Sequence, residues 1–369
     1  MRITRLHRLC ALVVGALVLL SLAGCHGGAR DGVLPSRTPD PACAPCQAGL
    51  RGDLNGSGTP DITDAVGILR IIVGLDPANA LADCDCDGAT GITDAIALLR
   101  CLVGFDPWPI TCGPALGDEM TGSDGQTLVG VPRGSFMMGS EEGFDDEQPV
   151  HQVTLDAFWI SRCEVTNDQY AAFLNSALPA DVSSWLGIAD PSCGIEQAGA
   201  TYQSRAQLGQ HPVLAVTWHG AEAYCAYYGY ALPTEAQWEY AAAGPNANRY
   251  PWGSTWDGSK CCWDGNTGPF EQTFPVGSFP AGQSWCGALD MVGNVWEWCA
   301  DFYGETYYGI SPGMNPTGPA DGEYRVLRGV CWYNEHDAEQ DRFRCAYRDL
   351  DDPALINDGF GFRCVRPAR

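Results

Sequence analysis

Hydrophobic and polar positions divide this chain into stretches of different period. Residues 11–23, ALVVGALVLLSLA, form an unbroken apolar run behind the arginine-bearing MRITRLHRLC. Sequence rich in Gly, Pro and Ala up to residue 48 then predicts a linker. Two runs of helical period, ITDAVGILRIIVG and ITDAIALLRCLVG, recur thirty residues apart. A second polar stretch, GPALGDEMTGSDGQ, leads into a segment of different character. LVGVPRGSFMMG and HQVTLDAFWISR predict short strands around a glycine-rich turn and an acidic loop, and a helix is expected from near Thr166. HPVLAV predicts a further strand, with two helices around LPTEAQWEY after it.

The apolar run is too short for a comfortable membrane span. It ends in LAGC, small residues followed by Cys25, and so resembles a bacterial lipoprotein signal. That resemblance implies an exported chain, cleaved before Cys25, lipidated there and anchored to a membrane on its periplasmic or cell-surface side. In an oxidising compartment, cysteines pair as disulfides more often than they serve as zinc ligands or reduced nucleophiles. Of the 18 cysteines, setting aside Cys10 and Cys25 leaves an even number. A formal charge of −24 argues against nucleic acid as a partner, because phosphate binding needs clustered Lys and Arg. The same carboxylates suit divalent cations such as calcium. Hydrophobic content of 45%, with 12 Trp, 14 Tyr and 12 Phe, is enough for a substantial core.

Each helical repeat is preceded by oxygen-bearing residues at regular spacing. The first loop has Asp53, Asn55 and Ser57 at positions one, three and five, Gly58 at six, Asp61 at nine and Asp64 at twelve. The second has Asp83, Asp85, Asp87, Gly88 and Asp94, with Gly91 at nine. Thr59 and Ala89 hold position seven, where a backbone carbonyl serves. This spacing wraps oxygens around calcium, and the glycine makes the sharp turn between ligands. The competing reading is a pair of Asx-rich turns that cap the helices. The duplicated loop–helix pair resembles type I dockerin over roughly residues 49–112. That implies a small all-α calcium-binding domain whose partner is a cohesin-type domain. Cys84, Cys86, Cys101 and Cys112 are expected to staple so small a core.

PTEAQWEYAAAG, MVGNVWEW and GFRCVR occur in this order, and matching blocks span about residues 127–367. Together they resemble the formylglycine-generating enzyme, or sulfatase-modifying factor, family. The resemblance implies an α+β, C-type-lectin-like fold with much irregular structure. It also puts a calcium site on Asp290, Gly293, Val295 and Glu297, two carboxylates and two backbone carbonyls. A second site falls near CCWDGNTGPFEQ, where Asp264 and Asn266 are the weak candidates. The expected organisation is therefore a signal at 1–24, a linker at 25–48, the calcium repeat at 49–112, a linker at 113–126 and the large domain at 127–369.

In that family, two closely spaced cysteines hold copper and oxidise a substrate cysteine to formylglycine. Here the matching interval, WYNEHDAEQDRF, contains no cysteine. Cys331 and Cys345 flank it and are the weak catalytic candidates. The family pairs the Cys345 position with one that is about Ala242 here, so a Cys331–Cys345 disulfide is expected. A metal site from Cys331, His336 and Cys345 is the competing arrangement. The family's other disulfide implies a Cys225–Cys364 bond. Cys163, Cys193, Cys261, Cys262, Cys286 and Cys299 could supply three more bridges, of connectivity that one sequence leaves open. His219 and Glu222 suggest a surface or capping pair rather than a metal site. Glu235, Trp238 and Glu239 belong to a scaffold helix in the family, and Arg344 and Arg348 are expected to salt-bridge the acidic segment beside them, with lining of the groove as the alternative. Two functions follow. The large domain is a binding or accessory module for a protein or glycan ligand, or it is a formylglycine-generating-type oxidase that uses copper.

Overall fold

In a computed structural model of the chain, the described residues are 52–57, 59, 61–77, 79–84, 90–102, 113–267, 272–337 and 341–368. Cys25, the apolar run, Gly58, Asp85, Cys86, Asp87, Gly88, Ala89 and Cys112 lie outside them. Among the described residues no helix is long and apolar enough to cross a membrane.

The repeat folds as two helices, α1 (Ile62–Ile72) and α2 (Ile92–Leu102). Their inward faces meet in a small core of Ala65, Ile68, Ala82, Cys84, Ala95 and Leu98. Asp61 caps α1 by accepting from the Thr63 and Asp64 amides, and Asp64 returns a bond to the Asp61 amide.

The remaining residues build a mixed α/β domain. Its strands are β1 (Glu119–Thr121), β2 (Thr127–Val131), β3 (Gly134–Met138), β4 (His151–Leu155), β5 (Phe158–Ser161), β6 (Ile195–Ala198) and β7 (Thr201–Ser204). After them come β8 (Trp296–Phe302), β9 (Arg325–Arg328), β10 (Asp349–Asp351), β11 (Phe360–Gly361) and β12 (Val365–Pro367). One sheet has the order β1-β2-β5-β12, which joins the two ends of the domain. The segment expected as a linker, 113–126, therefore contributes a strand, because β1 pairs antiparallel with β2. A second sheet runs β10-β9-β8-β11, and β3-β4 and β6-β7 are separate hairpins. Only the β11–β8 pairing is parallel among the described strands.

Three helices, α3 (Asn167–Ala177), α4 (Trp218–Tyr228) and α5 (Glu235–Ala243), pack against these sheets. Thr166 with Gln169 and Thr234 with Gln237 form capping boxes, which start α3 and α5 where the sequence predicts. Helix α5 is buried almost all round, including Glu235 and Glu239. Buried carboxylates on a core helix need cationic partners, and those partners define the next region.

Candidate functional site at the 290–297 turn

Strand β8 is entered through a tight turn, Asp290–Val295. Asp290 and Asn294 take left-handed backbone angles (φ 54° and 67°), which tie the turn into its surroundings. The Gly293 amide donates to Gly329 O (2.7 Å) and the Asn294 amide to Cys262 O (3.0 Å). A Cβ at Gly293 would collide with the Cys262 carbonyl, and its φ is 87°. Only glycine suits both conditions.

The two carboxylates expected to share a calcium ion here have different hydrogen-bond partners. Glu297 is fully buried, and Arg363 grips it as a fork, from Nε to Oε2 (2.6 Å) and from Nη2 to Oε1 (2.7 Å). The Trp238 indole N–H donates to Oε2 as well (2.8 Å). A bidentate arginine on a carboxylate is a strong, directional pairing, so Glu297 already has its cation. Asp290 accepts from the Gly277 amide (2.5 Å), and Glu164 is near enough for the Asp290 charge to act on it. Glu164 is 2% exposed. Its Oε1 accepts from Asn294 Nδ2 (3.0 Å), and its Oε2 has no hydrogen-bond partner. Burial, and then the Asp290 charge, push the Glu164 carboxyl well above the usual range. Burial likewise raises Asp290.

Arg363 already neutralises Glu297, whereas Asp290 and Glu164 are buried carboxylates that no arginine side chain hydrogen-bonds among the described residues. Among the described residues no group of three or more His, Cys, Asp or Glu side chains is disposed to hold a metal ion. Nothing in CEVTN distinguishes Glu164 from a surface acid beside a helix cap. Asn266, a weak candidate for the second site, is used up by its own turn. Its side chain donates to Gly258 O and Cys261 O and accepts from the Trp263 amide. His219 and Glu222 are both exposed on α4.

The other buried acids are met by arginine. Arg348 holds Glu235 (2.6 and 3.0 Å), Arg344 holds Glu147 (2.5 and 2.6 Å), and Arg328 bridges Glu239 (2.5 Å) and Glu235 (3.3 Å). Glu235, Trp238 and Glu239 are therefore scaffold, as the family resemblance implies, and Arg344 and Arg348 pair with the distant Glu147 and Glu235 rather than with the acidic segment beside them.

The cysteines divide differently from the expectation. Cys225 and Cys364 stand side by side, with sulfurs 3.3 Å apart. Cys331 and Cys345 belong to different core clusters, and both thiols are free. Left-handed Gly329 and Val330 turn the chain out of β9. The Cys331 amide and thiol then both donate to Asn334 Oδ1 (2.9 and 3.0 Å). The Cys345 amide is pinned to Arg249 O (2.8 Å), and its carbonyl accepts from Arg328 (2.7 Å). This arrangement replaces the expected staple. Burial pushes the Cys331 thiol up to about 12 and raises the Cys345 thiol too. His336 stacks on Trp256 (4.0 Å between ring centroids), with Nε2 3.6 Å from Asp341 Oδ1, so it faces an aromatic wall and an acid.

In the repeat, corresponding residues make corresponding bonds. Asp64 Oδ1 accepts from the Leu54 and Asn55 amides (3.0 and 3.2 Å), and Oδ2 from the Asp61 amide (2.9 Å). Asp94 accepts from Cys84 and Gly91 (both 2.6 Å). Ser57 donates its amide to Asp53 Oδ1 and Asn55 Oδ1 (both 2.9 Å), so the first loop curls back over its own oxygens.

A family model described as "Sulfatase-modifying factor enzyme 1-like domain" matches residues 116–368. The chain belongs to that family. The sulfatase-modifying factor domain is 38% identical over 245 residues to serine/threonine-protein kinase pkn1 of Chlamydia caviae, covering 65% of this chain and 38% of that protein. The chain thus spans less than two fifths of the length of that relative. It is 37% identical over 283 residues to the formylglycine-generating enzyme of Streptomyces coelicolor, covering 65% of this chain and 89% of that one. The solved structure of PvdO from Pseudomonas aeruginosa superposes with a TM-score of 0.56 at 29% identity, over 69% of this chain and 99% of that one.

Proposed function

We propose that this is an exported, lipid-anchored, calcium-binding protein whose sulfatase-modifying factor domain works as a binding or accessory module rather than as an oxidase. The observation that carries this reading is the interval between Cys331 and Cys345. Oxidation of a thiol at copper in this family takes two thiolates converging on one soft ion. Here the interval has no cysteine, and the flanking thiols sit in different clusters.

The ligand of the large domain is a protein or a glycan. The repeat at 49–112 is a dockerin-like calcium module with a cohesin-type partner, and Cys25 carries the lipid. The matching bonds of Asp64 and Asp94 support the first of these readings, because both loops close on their helices through the same position. Calcium takes Asp53, Asn55, Ser57, Thr59, Asp61 and Asp64 in one loop and Asp83, Asp85, Asp87, Ala89 and Asp94 in the other. The capping role of Asp61 is compatible with this, since each carboxylate oxygen can accept more than one bond.

Likeness to the Streptomyces coelicolor enzyme over 89% of its length favours the alternative, a formylglycine-generating-type oxidase. One assay decides between them. Purified protein is loaded with Cu(I) and incubated with a peptide carrying C-x-P-x-R, and aldehyde is sought by mass spectrometry. No aldehyde is expected. Aldehyde formation that Cys331→Ser abolishes would overturn the module reading.

A further inference from the structure

We infer that the first loop of the repeat carries a covalent modification site. Asn55 loses its side-chain amide by attack of the Gly56 backbone nitrogen, through a cyclic imide that water then opens. This chemistry is independent of the calcium and binding readings, and it sets the chemical lifetime of the loop that closes on α1.

Asn55–Gly56 is the one Asn-Gly pair in the chain. Asparagine is among the chemically labile side chains, and a following glycine has no Cβ to hinder the approach of its own nitrogen. Sequence carries only that susceptibility. The fold adds the state of each amide in the segment. Leu54 and Asn55 donate theirs to Asp64 Oδ1 (3.0 and 3.2 Å), and Ser57 donates to Asp53 Oδ1 and Asn55 Oδ1 (both 2.9 Å). Among the described residues the Gly56 amide finds no protein acceptor and is left to water. The nitrogen that must lose its proton to become the nucleophile is therefore the one that nothing holds.

The Ser57 bond has a second effect. It sets a donor on Asn55 Oδ1, where negative charge develops as the side-chain carbonyl is attacked, and such a donor stabilises an oxyanion. Asn55 and Gly56 are both exposed, and nothing would lie within 4 Å of a Cβ at Gly56, whose φ is 73°. Base and water reach the reacting atoms freely.

The atoms balance with water as the only co-reactant. Base in solution takes the Gly56 amide proton, the nitrogen bonds to Asn55 Cγ, and the Cγ–Nδ2 bond breaks with release of ammonia. Hydrolysis of the imide at one carbonyl gives aspartate and at the other isoaspartate. Isoaspartate adds a methylene to the main chain and so pulls Ser57 out of register with Asp53. The aspartate product keeps the spacing. The second loop lacks this chemistry, since its matching positions are Asp85 and Cys86.

The test uses the full chain, folded, in a calcium chelator so that no loop-bound ion shields Asn55. Isoaspartate is read by methyl transfer from an isoaspartyl methyltransferase and placed by mass spectrometry of the tryptic peptide 52–70. Label is expected at Asn55, forming no more slowly than in the same chain unfolded in urea, and faster as pH rises. Label that forms in urea but not in the folded chain would overturn the proposal, because the fold would then protect the loop. Label confined to other residues would do the same. Asn55→Gln, whose longer side chain closes the imide ring far more slowly, should lose the label, and Gly56→Ala should lose most of it. Label that persists in Asn55→Gln also refutes the assignment. The comparison of folded and unfolded wild-type chain stands even if a variant fails to fold.

Discussion

Two groups of buried acids in the large domain are neutralised in opposite ways. At Glu297, Glu235, Glu239 and Glu147, each carboxylate meets an arginine that is itself buried. At Asp290, Glu164 and Asp301, no arginine side chain makes a hydrogen bond to the carboxylate among the described residues. Asp290 has Glu164, and Asp301 accepts a backbone amide from Glu235 (2.9 Å). The first group is held by its arginines, although burial still raises Glu239. The second carries carboxyls raised by burial without an arginine hydrogen bond, and it is where a proton has something to do. Burial alone is therefore a poor guide to function in this domain, and the identity of the counter-charge is a better one.

The sharpest break of that comparison comes from the arginine-held side. Arg363→Ala leaves Glu297 charged and unpaired in the core, and it should cost about 3–5 kcal/mol in urea unfolding. A cost below about 1 kcal/mol would mean that the ion-pair framework is not what holds β8 and the C-terminal strand together. The second test is pH dependence. Burial pushes Asp301 up to about 8, from an ordinary 3.8. The folded state then keeps a proton that the unfolded chain gives up, so Asp301 contributes stability below about pH 4 that is lost as pH rises toward 8. Asp301→Asn, which keeps the acceptor for the Glu235 amide, should flatten the fall in stability between those values. An unchanged slope would remove Asp301 from the second group. The smallest effect is expected at the surface, where Arg249 meets the exposed Glu142 (2.7 Å). Glu142→Ala should shift stability by about 0–1 kcal/mol. A larger loss would show that pairing matters as much outside the core as inside it.

Much of the local architecture is legible from neighbouring residues. Thr166 with Gln169 and Thr234 with Gln237 announce their helices because a capping box spans only three positions. The two repeat helices are legible because their apolar period is written twice. The candidate site was legible only in part. MVGNVWEW marks the turn, but Arg363 lies 66 residues beyond Glu297, and Glu164 lies 126 before Asp290. No local signal reports such a partner. The expected Cys331–Cys345 staple fails for the same reason. Both residues flank one segment, yet the left-handed step at Gly329 and Val330 sends Cys331 toward Asn334 while Arg249 and Arg328 hold Cys345.

From the sequence alone came the elements, the duplicated loops, the family blocks and the lack of any cysteine between positions 331 and 345. These are properties of composition and short-range spacing, which a chain carries whether or not it is folded. Tertiary structure alone decided which buried acid meets an arginine and which meets another acid. That choice depends on packing across the sheet and helices, because the strength of a charge pair is set by distance and desolvation rather than by place in the chain.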